Sequence, residues 1–174
     1  MKPAVFLDRD GVINNDKGYV YKIDDFEWIQ DAIEAIKFLK DSGYYVFVVT
    51  NQSGIARGYY SEEDVEKLHI YINSELKKKE TSIDEFYYSP YHPKGVNNNY
   101  LELAHLRKPK TGMLEKALSD WSFDKTTSLM IGDKNTDIEC ANNFGIKGYL
   151  FSNGSLLKYF LDSVLSKDVI LIGI

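Results

Sequence analysis

Short apolar runs alternate with amphipathic segments along the chain. Runs rich in β-branched and aromatic residues predict strands at residues 4–7, 45–50, 85–89, 128–131 and 147–151. Apolar residues at helical spacing predict helices around residues 32–39, 65–76, 113–121 and 138–144, and Gly43 and Gly145 stand where two of them end. "SEED" at residues 61–64 has the form of a capping box, with Asp64 in the place of the usual glutamate.

Strands that alternate with helices favour one α/β domain over residues 1–174, with a Rossmann-like, doubly wound parallel sheet covered on both faces. Ligands of such sheets bind beyond the carboxyl ends of the strands, so chemistry is expected in the residues that follow each strand. The tail is harder to assign. Residues 155–165 are helix-like, and "DVILIGI" at the end could be an edge strand or a packing segment.

Composition narrows the class of protein. Hydrophobic residues make up 44% of the 174 and charged residues 27%, a globular balance. The net charge of −5 gives no basic footprint for nucleic acid. The single cysteine, Cys140, excludes an internal disulfide, and no apolar run reaches membrane-spanning length. The N-terminus does not resemble a signal peptide, so a cytoplasmic location is expected.

Carboxylates follow two of the predicted strands. "DRDG" places Asp8 at the end of the first strand, Asp10 two residues on, and Gly11 at a sharp turn. "GDKNTD" places Asp133 after the fourth strand and Asp137 one helical turn later. Carboxylates this close need a cation or a shared proton, and Mg²⁺ prefers oxygen ligands. Asp137 could support a metal site through the ligands, or it could only favour the start of a helix.

Polar loops follow the second and third strands. "TNQSGIARG" supplies Thr50, Asn51 and Ser53 with glycines that leave backbone N–H groups free for an anion. "RKPKTGM" supplies Arg107, suited to a phosphate or vicinal hydroxyls, and Lys108, suited to a phosphoryl group. Each motif alone is weak evidence. Together they fall at one edge of one predicted sheet, which indicates a catalytic site.

These motifs resemble the haloacid dehalogenase superfamily of aspartyl phosphotransferases over nearly the whole chain to about Phe151. "FLDRDGVIN", "GYV", "TNQSGIARG" and "RKPKTGML", followed by "MIGDK", are most similar to the D-glycero-D-manno-heptose 1,7-bisphosphate phosphatases. The resemblance implies removal of the C7 phosphate in nucleotide-heptose synthesis for bacterial surface glycans. It also implies a capless fold of the superfamily type.

The resemblance implies a role for each matching residue. Asp8 would be the nucleophile and Asp10 the general acid and then the base. Mg²⁺ would be held by the Asp8 carboxylate, the Asp10 backbone carbonyl and Asp133. Thr50 would hold the transferring phosphoryl group and Lys108 would offset its charge. The substrate-binding set would be Asp16, Lys17, Gly18, Tyr19, Thr50, Asn51, Gln52, Ser53, Arg107, Lys108 and Lys134.

Alternatives remain at this stage. Histidinol-phosphate phosphatases share much of the pattern, although "GYV" and Arg107 favour the sugar bisphosphate. A non-catalytic binding protein is opposed by the intact Asp8, Asp10, Lys108 and Asp133. Residues 10–30 and 89–107 are too short to hold a cap domain, so an open site and a monomer acting on a small sugar phosphate are expected.

The third connection departs from the family pattern. Relatives commonly bind zinc there through a Cys-x-His and a Cys-x-Cys pair. Those four places are Ser89, Tyr91, Ala104 and Leu106 in this chain, and the histidines at 92 and 105 lie one residue away. A structural zinc site needs four ligands, so no structural zinc is expected. Tyrosines 88, 91 and 100, with the prolines at 90 and 93, would hold the loop by packing. His69, next to Leu68 on an amphipathic helix, is expected at the surface.

Overall fold

The computed structural model describes residues 1–165. Five parallel strands form one sheet in the order β3-β2-β1-β4-β5, with bounds β1 (Pro3–Leu7), β2 (Tyr45–Asn51), β3 (Glu85–Ser89), β4 (Asp124–Gly132) and β5 (Lys147–Leu150). The predicted doubly wound α/β class is confirmed. "DVILIGI" lies outside the described residues.

The helices are α1 (Ala32–Asp41), α2 (Glu62–Lys77), α3 (Gly112–Asp120), α4 (Asn135–Phe144) and α5 (Leu156–Tyr159), which continues as a π-helical turn, Phe160–Leu165. The predicted capping box begins α2: the Asp64 N–H donates to Ser61 Oγ at 3.2 Å, and the Ser61 N–H donates to Asp64 Oδ2 at 2.9 Å. Trp121 was predicted to be helical. It is extended instead, because its indole packs 5.5 Å from the Phe47 ring beside the sheet.

The two faces of the sheet carry separate hydrophobic clusters, because successive strand side chains point in opposite directions. Val5 and Leu7 of β1 pack on the side of α1, α2 and α5. Ala4 and Phe6 pack on the side of α3 and α4. All four are fully buried. Replacing a leucine in such a core by alanine costs about 2–5 kcal/mol of stability. The two clusters therefore hold the sheet, and with it the site, in place.

The carboxyl ends of the central strands lie side by side. Leu7 is in register with Val48 of β2 and with Ile131 of β4. The chain leaves β1 toward β2 and β3 on one side and later builds β4 and β5 on the other, so the strand order reverses between β1 and β4. A crevice at such a reversal is where doubly wound sheets bind ligands.

The connections around this crevice hold little regular structure of their own. Only the short 3₁₀ turns Ile23–Asp25, Asn98–Tyr100 and Ala104–Leu106 occur in the first and third connections. These stretches therefore form loops rather than a cap. Of the helices within residues 1–165, none has the length and apolar character that a bilayer crossing demands.

Candidate active site

A buried ion-pair cluster occupies the floor of the crevice. The Lys108 ammonium lies 2.9 Å from Asp8 Oδ1 and 2.7 Å from Asp137 Oδ1. It also donates to the Val49 carbonyl oxygen at 2.8 Å, so all three of its N–H donors have partners. All three charged side chains are less than a tenth exposed. Asp8 also accepts a hydrogen bond from the Arg9 N–H at 2.7 Å.

Lys108 comes from the third connection and is fastened to the end of β2. The Asn51 side chain donates to the Lys108 carbonyl oxygen at 3.1 Å and accepts from the Lys108 N–H at 3.0 Å. This reciprocal pair gives Asn51 a structural role as well as its predicted contact with substrate.

Burial controls the charge of the cluster. It raises the pKa of Asp8 to about 7; Lys108 opposes this shift, and the neighbouring Asp137 and Asp10 carboxylates add to it. Burial by itself lowers the pKa of Lys108. The Asp8 and Asp137 carboxylates have the larger combined effect, so the pKa of Lys108 is raised. The lysine is therefore held as a cation, whereas Asp8 titrates near neutrality.

Asp133 completes an acidic group that fits a divalent cation. Asp8, Asp133 and Asp137 each offer an oxygen, and these oxygens lie within 4.8 Å of one another. Asp133 Oδ1 is buried without a hydrogen-bond partner, and burial raises the pKa of this carboxyl. Lys108 lies among these carboxylates, and the partly exposed Lys134 lies 3.7 Å from Asp133 Oδ2, so the group keeps a formal charge of −1 that an ion such as Mg²⁺ would offset.

Asp133 and Asp137 differ in which of their oxygens are free. Asp137 Oδ1 faces Lys108 at 2.7 Å, and its Oδ2 accepts from the Lys134 N–H at 3.0 Å. Both oxygens of Asp137 thus have protein partners, while Asp133 keeps a free one. Gly11 is required beside them, because a Cβ there would lie 2.4 Å from Asp133 Oδ2.

Four hydrogen bonds fix the Asp10 carboxylate. Arg9 Nη2 lies 3.1 Å and 3.0 Å from its two oxygens. The Asn14 side-chain amide donates to Oδ1 at 3.0 Å, and the Gln52 amide donates to Oδ2 at 3.1 Å. The carboxylate remains partly exposed, at 18%, so it is held in place yet open to a ligand.

Gln52 links Asp10 to the neighbouring strand. Its amide nitrogen also donates to Thr50 Oγ1 at 2.8 Å, and its amide oxygen accepts from the Tyr60 hydroxyl at 2.7 Å. Because the Asp10 carboxylate can only accept, it requires the amide nitrogen of Gln52, which leaves the amide oxygen to accept from Tyr60. Gly54 makes this contact possible, because a Cβ there would lie 2.1 Å from the Tyr60 ring.

His69 is buried, contrary to the prediction that it lies at the surface. Its ring stacks 4.4 Å from the Phe86 ring, and its Nε2 lies 3.4 Å from Nη1 of the fully buried Arg9. Burial and the Arg9 charge lower the pKa of His69 well below its usual value. Arg9 Nη2 also donates to the Val20 carbonyl oxygen, so this arginine joins the Asp10 carboxylate to the loop before Tyr21.

A cavity of about 370 Å³ opens above these groups. Most predicted site residues line it: Asp8, Asp10, Asp16, Gly18, Tyr19, Thr50, Asn51, Gln52, Ser53, Arg107, Lys108 and Lys134. Tyr60, Thr136 and Asp137 line it as well. Asp133 lies at the wall of a neighbouring cleft, with its carboxylate still in the acidic group.

Lys17 is the predicted substrate residue that the structure does not bring to the cavity. Its ammonium pairs with Glu27 Oε2 at 3.0 Å on the surface. The neighbouring Asp16 instead faces the site: it accepts from the Gly18 N–H at 3.0 Å and pairs with Lys134 at 3.2 Å. These contacts connect the 16–19 loop to the start of α4.

The third connection is held by contacts between its own residues and its neighbours. The Tyr91 and Tyr100 rings lie 6.0 Å apart, and the His92 Nε2 lies 3.4 Å from Arg57 Nη2. Burial, with Arg107 and Arg57 nearby, lowers the pKa of His92. Within residues 1–165, no metal-binding group of three acidic, histidine or cysteine side chains occurs in this connection.

Arg9 and Tyr60 were missed in the sequence. The sequence gives a weak indication for Arg9, because an arginine between two aspartates at the end of a strand is expected to pair with a carboxylate. The sequence gives no indication for Tyr60, since its hydrogen bond to Gln52 depends on the conformation of the 52–60 loop.

The fold and the site are those of a haloacid dehalogenase-type hydrolase, and a sequence profile of the HAD-hydrolase-like family matches residues 105–162. A Haemophilus influenzae protein named D-glycero-β-D-manno-heptose-1,7-bisphosphate 7-phosphatase is 39% identical over 180 residues, covering 98% of this chain and 97% of its own. The chain belongs to this heptose-bisphosphate phosphatase family of HAD-like hydrolases.

Two further comparisons refine the relationship. A Photorhabdus laumondii protein named for the α-configured substrate, D-glycero-α-D-manno-heptose-1,7-bisphosphate, is 41% identical over 143 residues, or 82% of this chain and 78% of its own. The crystal structure of D,D-heptose 1,7-bisphosphate phosphatase from B. bronchiseptica, complexed with magnesium and phosphate, matches with a TM-score of 0.78 and 26% identity. It covers 94% of this chain and 88% of that one.

Proposed function

We propose that the protein is a Mg²⁺-dependent phosphatase that removes the C7 phosphate of D-glycero-D-manno-heptose 1,7-bisphosphate, in nucleotide-heptose synthesis for bacterial surface glycans. The observation that carries the proposal is that one cavity is lined by Asp8, Asp10, Thr50 and Lys108. A relative that matches nearly the full length of the chain is named a heptose-1,7-bisphosphate 7-phosphatase.

The chain's own groups supply the chemistry. Asp8 attacks phosphorus in line and forms an aspartyl phosphate, while Asp10 protonates the departing sugar oxygen. Asp10 then takes a proton from the water that hydrolyses this intermediate. Arg9 and Gln52 support these roles, because their hydrogen bonds hold the Asp10 carboxylate in one orientation. The buried Lys108 offsets charge on the phosphoryl oxygens.

The Asp8 and Asp133 carboxylates, with the Asp10 carbonyl, would hold Mg²⁺. Both oxygens of Asp137 are already bonded within the protein, so this residue supports the site by orienting Lys108. When bound, the ion supplies charge neutralisation and alignment for the incoming phosphate.

The mouth of the cavity suits a second phosphate. Arg107 lines it and, among the described residues, has no carboxylate within salt-bridge distance. Asp16, Gly18, Tyr19, Ser53 and Lys134 form the remaining polar wall. An arginine fork without a counterion binds phosphate in two-point contact, which favours a bisphosphate over a monophosphate.

Phosphate release tests the proposal. Substrates are both anomers of the heptose 1,7-bisphosphate, fructose 1,6-bisphosphate and histidinol phosphate, each with Mg²⁺ and with chelator. We expect heptose bisphosphate to be preferred, turnover to be lost with chelator, and Asp8→Asn to be inactive. Preference for histidinol phosphate would reject the sugar assignment, and an active Asp8→Asn variant would reject the nucleophile.

We also propose that the protein acts as a monomer in the cytoplasm. A reducing compartment fits its single, buried, unpaired Cys140, and the capless site lies within one chain. Light scattering of the active protein tests the monomer: a mass near 20 kDa is expected, and a stable dimer would contradict it.

A further inference from the structure

A single carboxylate on α2 receives two tyrosine hydroxyls from the third connection and the strand before it. The Tyr100 hydroxyl donates to Glu62 Oε1 at 2.6 Å, and the Tyr88 hydroxyl donates to Glu62 Oε2 at 2.8 Å. The Tyr88 hydroxyl also lies 3.2 Å from Oε1 of Glu66, a further carboxylate of this helix. Glu62 is half-buried and is not among the residues that line the cavity.

Contacts lead from this carboxylate to the cavity mouth. The Tyr100 carbonyl oxygen accepts from the His92 N–H at 3.0 Å, and the Tyr100 ring lies 6.0 Å from the Tyr91 ring. The Tyr91 carbonyl oxygen in turn lies 3.5 Å from Nη1 of Arg107. Glu62 is thus joined to Arg107 through two packed tyrosines.

The tip of the same loop is attached to the 52–60 loop. The Val96 and Asn97 N–H groups both donate to the Ala56 carbonyl oxygen, at 2.8 Å and 3.2 Å. Gly95 permits this approach, because a Cβ there would lie 2.7 Å from that oxygen. These contacts place the tip, but they do not reach Arg107. The connection between α2 and Arg107 runs through Tyr100.

We propose that Glu62 is a positioning residue, which anchors Tyr88 and Tyr100 and so holds Arg107 at the cavity mouth for the distal phosphate of the substrate. The inference rests on the proposed function, because it assumes that Arg107 binds that phosphate. Glu62 itself touches neither substrate nor metal.

The chemistry of the anchor favours a rigid loop. Hydrogen bonds from a hydroxyl to an ionised carboxylate are short and stronger than neutral ones. The bond to Glu62, together with burial, raises the pKa of Tyr100 to about 12, and burial with the same carboxylate raises that of Tyr88. Both hydroxyls therefore remain donors throughout the physiological range, and the anchor needs no metal.

Glu62→Ala tests the inference, with Glu63→Ala as matched control. Glu63 also lies in the first turn of α2, but it pairs with Lys67 at 2.8 Å on the exposed face. With the heptose bisphosphate, we expect Glu62→Ala to raise KM about tenfold, equivalent to roughly 1.4 kcal/mol, with kcat changed less than about threefold. With p-nitrophenyl phosphate, which has no second phosphate, kcat/KM should stay within about twofold. Glu63→Ala should match the unchanged protein on both substrates.

A double substitution separates positioning from general damage. In an Arg107→Ala background, Glu62→Ala should add no further increase in KM, because there is no longer a guanidinium to misplace. Tyr100→Phe should reproduce most of the Glu62→Ala effect. Equal losses on both substrates, an additive double variant, or an unchanged KM in Glu62→Ala would each overturn the inference.

Amide hydrogen exchange tests the anchor independently of activity. In Glu62→Ala, the amides of residues 98–108 should exchange at least about tenfold faster than in the unchanged protein and in Glu63→Ala. Unchanged exchange in this segment would overturn the anchor. Faster exchange in a chain that does not hydrolyse the bisphosphate would instead reject the proposed function and leave the anchor supported.

Discussion

Replacing Lys108 by methionine removes the only cation from the buried cluster at the floor of the site. The ammonium lies 2.9 Å from Asp8 and 2.7 Å from Asp137, and methionine keeps the length of the side chain without its charge. Removing one partner of a buried ion pair costs about 3–5 kcal/mol. For a chain of this size, each kcal/mol corresponds to roughly 2–4 °C, so the melting temperature should fall by roughly 6–20 °C.

The charges make a second, signed prediction. Asp8, Asp137 and Lys108 sum to a formal charge of −1, which becomes −2 in Lys108→Met. Adding Asp137→Asn restores −1, so the double variant should be more stable than Lys108→Met by about 1–3 kcal/mol. An additional substitution in a core normally destabilises, so a gain would identify charge, and not packing, as the cause.

Urea unfolding at pH 8 with chelator, followed by circular dichroism, measures both effects in the absence of divalent cation. Lys110→Met is the control, because Lys110 is exposed and its loss should change stability by less than about 0.5 kcal/mol. The reasoning is refuted if Lys108→Met costs less than about 1 kcal/mol, or if the double variant is the less stable of the two. Turnover of Lys108→Met should fall at least about 100-fold.

Three other predictions concern metal and packing. Because burial raises the Asp8 pKa to about 7, its charged form destabilises the metal-free fold above that pH, and the cost is relieved as pH falls toward 4. Mg²⁺ affinity should fall by up to about tenfold per unit below pH 7, and a pH-independent calorimetric Kd would contradict this. Elemental analysis of untagged protein should find no stoichiometric zinc; one zinc per chain would reject the metal-free loop. Gly54→Ala should cost about 1–3 kcal/mol in urea unfolding, because its Cβ would lie 2.1 Å from the Tyr60 ring; an unchanged midpoint would be evidence against the packing.

The sheet was predictable because its signals are local. "AVFL" and "YVFVVT" are apolar or aromatic at every position before Thr50, and the structure buries their alternate residues in the two clusters on opposite faces. The meeting of Asp8, Thr50 and Asp133 followed from topology, since parallel strands end at one edge. Neither inference required knowledge of side-chain contacts.

The structure departs from the sequence prediction where the fold gives a side chain a partner that the local pattern does not show. His69 resembles a surface residue beside Leu68, yet Arg9, 60 positions earlier, lies 3.4 Å from its ring. Lys17 belongs to the predicted substrate loop, but its ammonium pairs with Glu27 at 3.0 Å, and the residue does not line the cavity. In both cases a contact made by the fold sets the environment of the side chain, and the local sequence pattern does not predict that contact.

The charged surroundings of the third connection differ from those of the floor of the site. Three carboxylates crowd the floor against the ammonium groups of Lys108 and, at its edge, Lys134, so a divalent cation would relieve the remaining repulsion there. Around His92 the neighbours are cationic instead: burial lowers the pKa of His92, and Arg107 and Arg57 lower it further. A zinc ion at that place would add two positive charges to that surrounding without a thiolate to offset them. The same positive surplus would suit an incoming phosphate, as proposed for Arg107, and the proposed anchor of Glu62 and the two tyrosines would support this loop through hydrogen bonds.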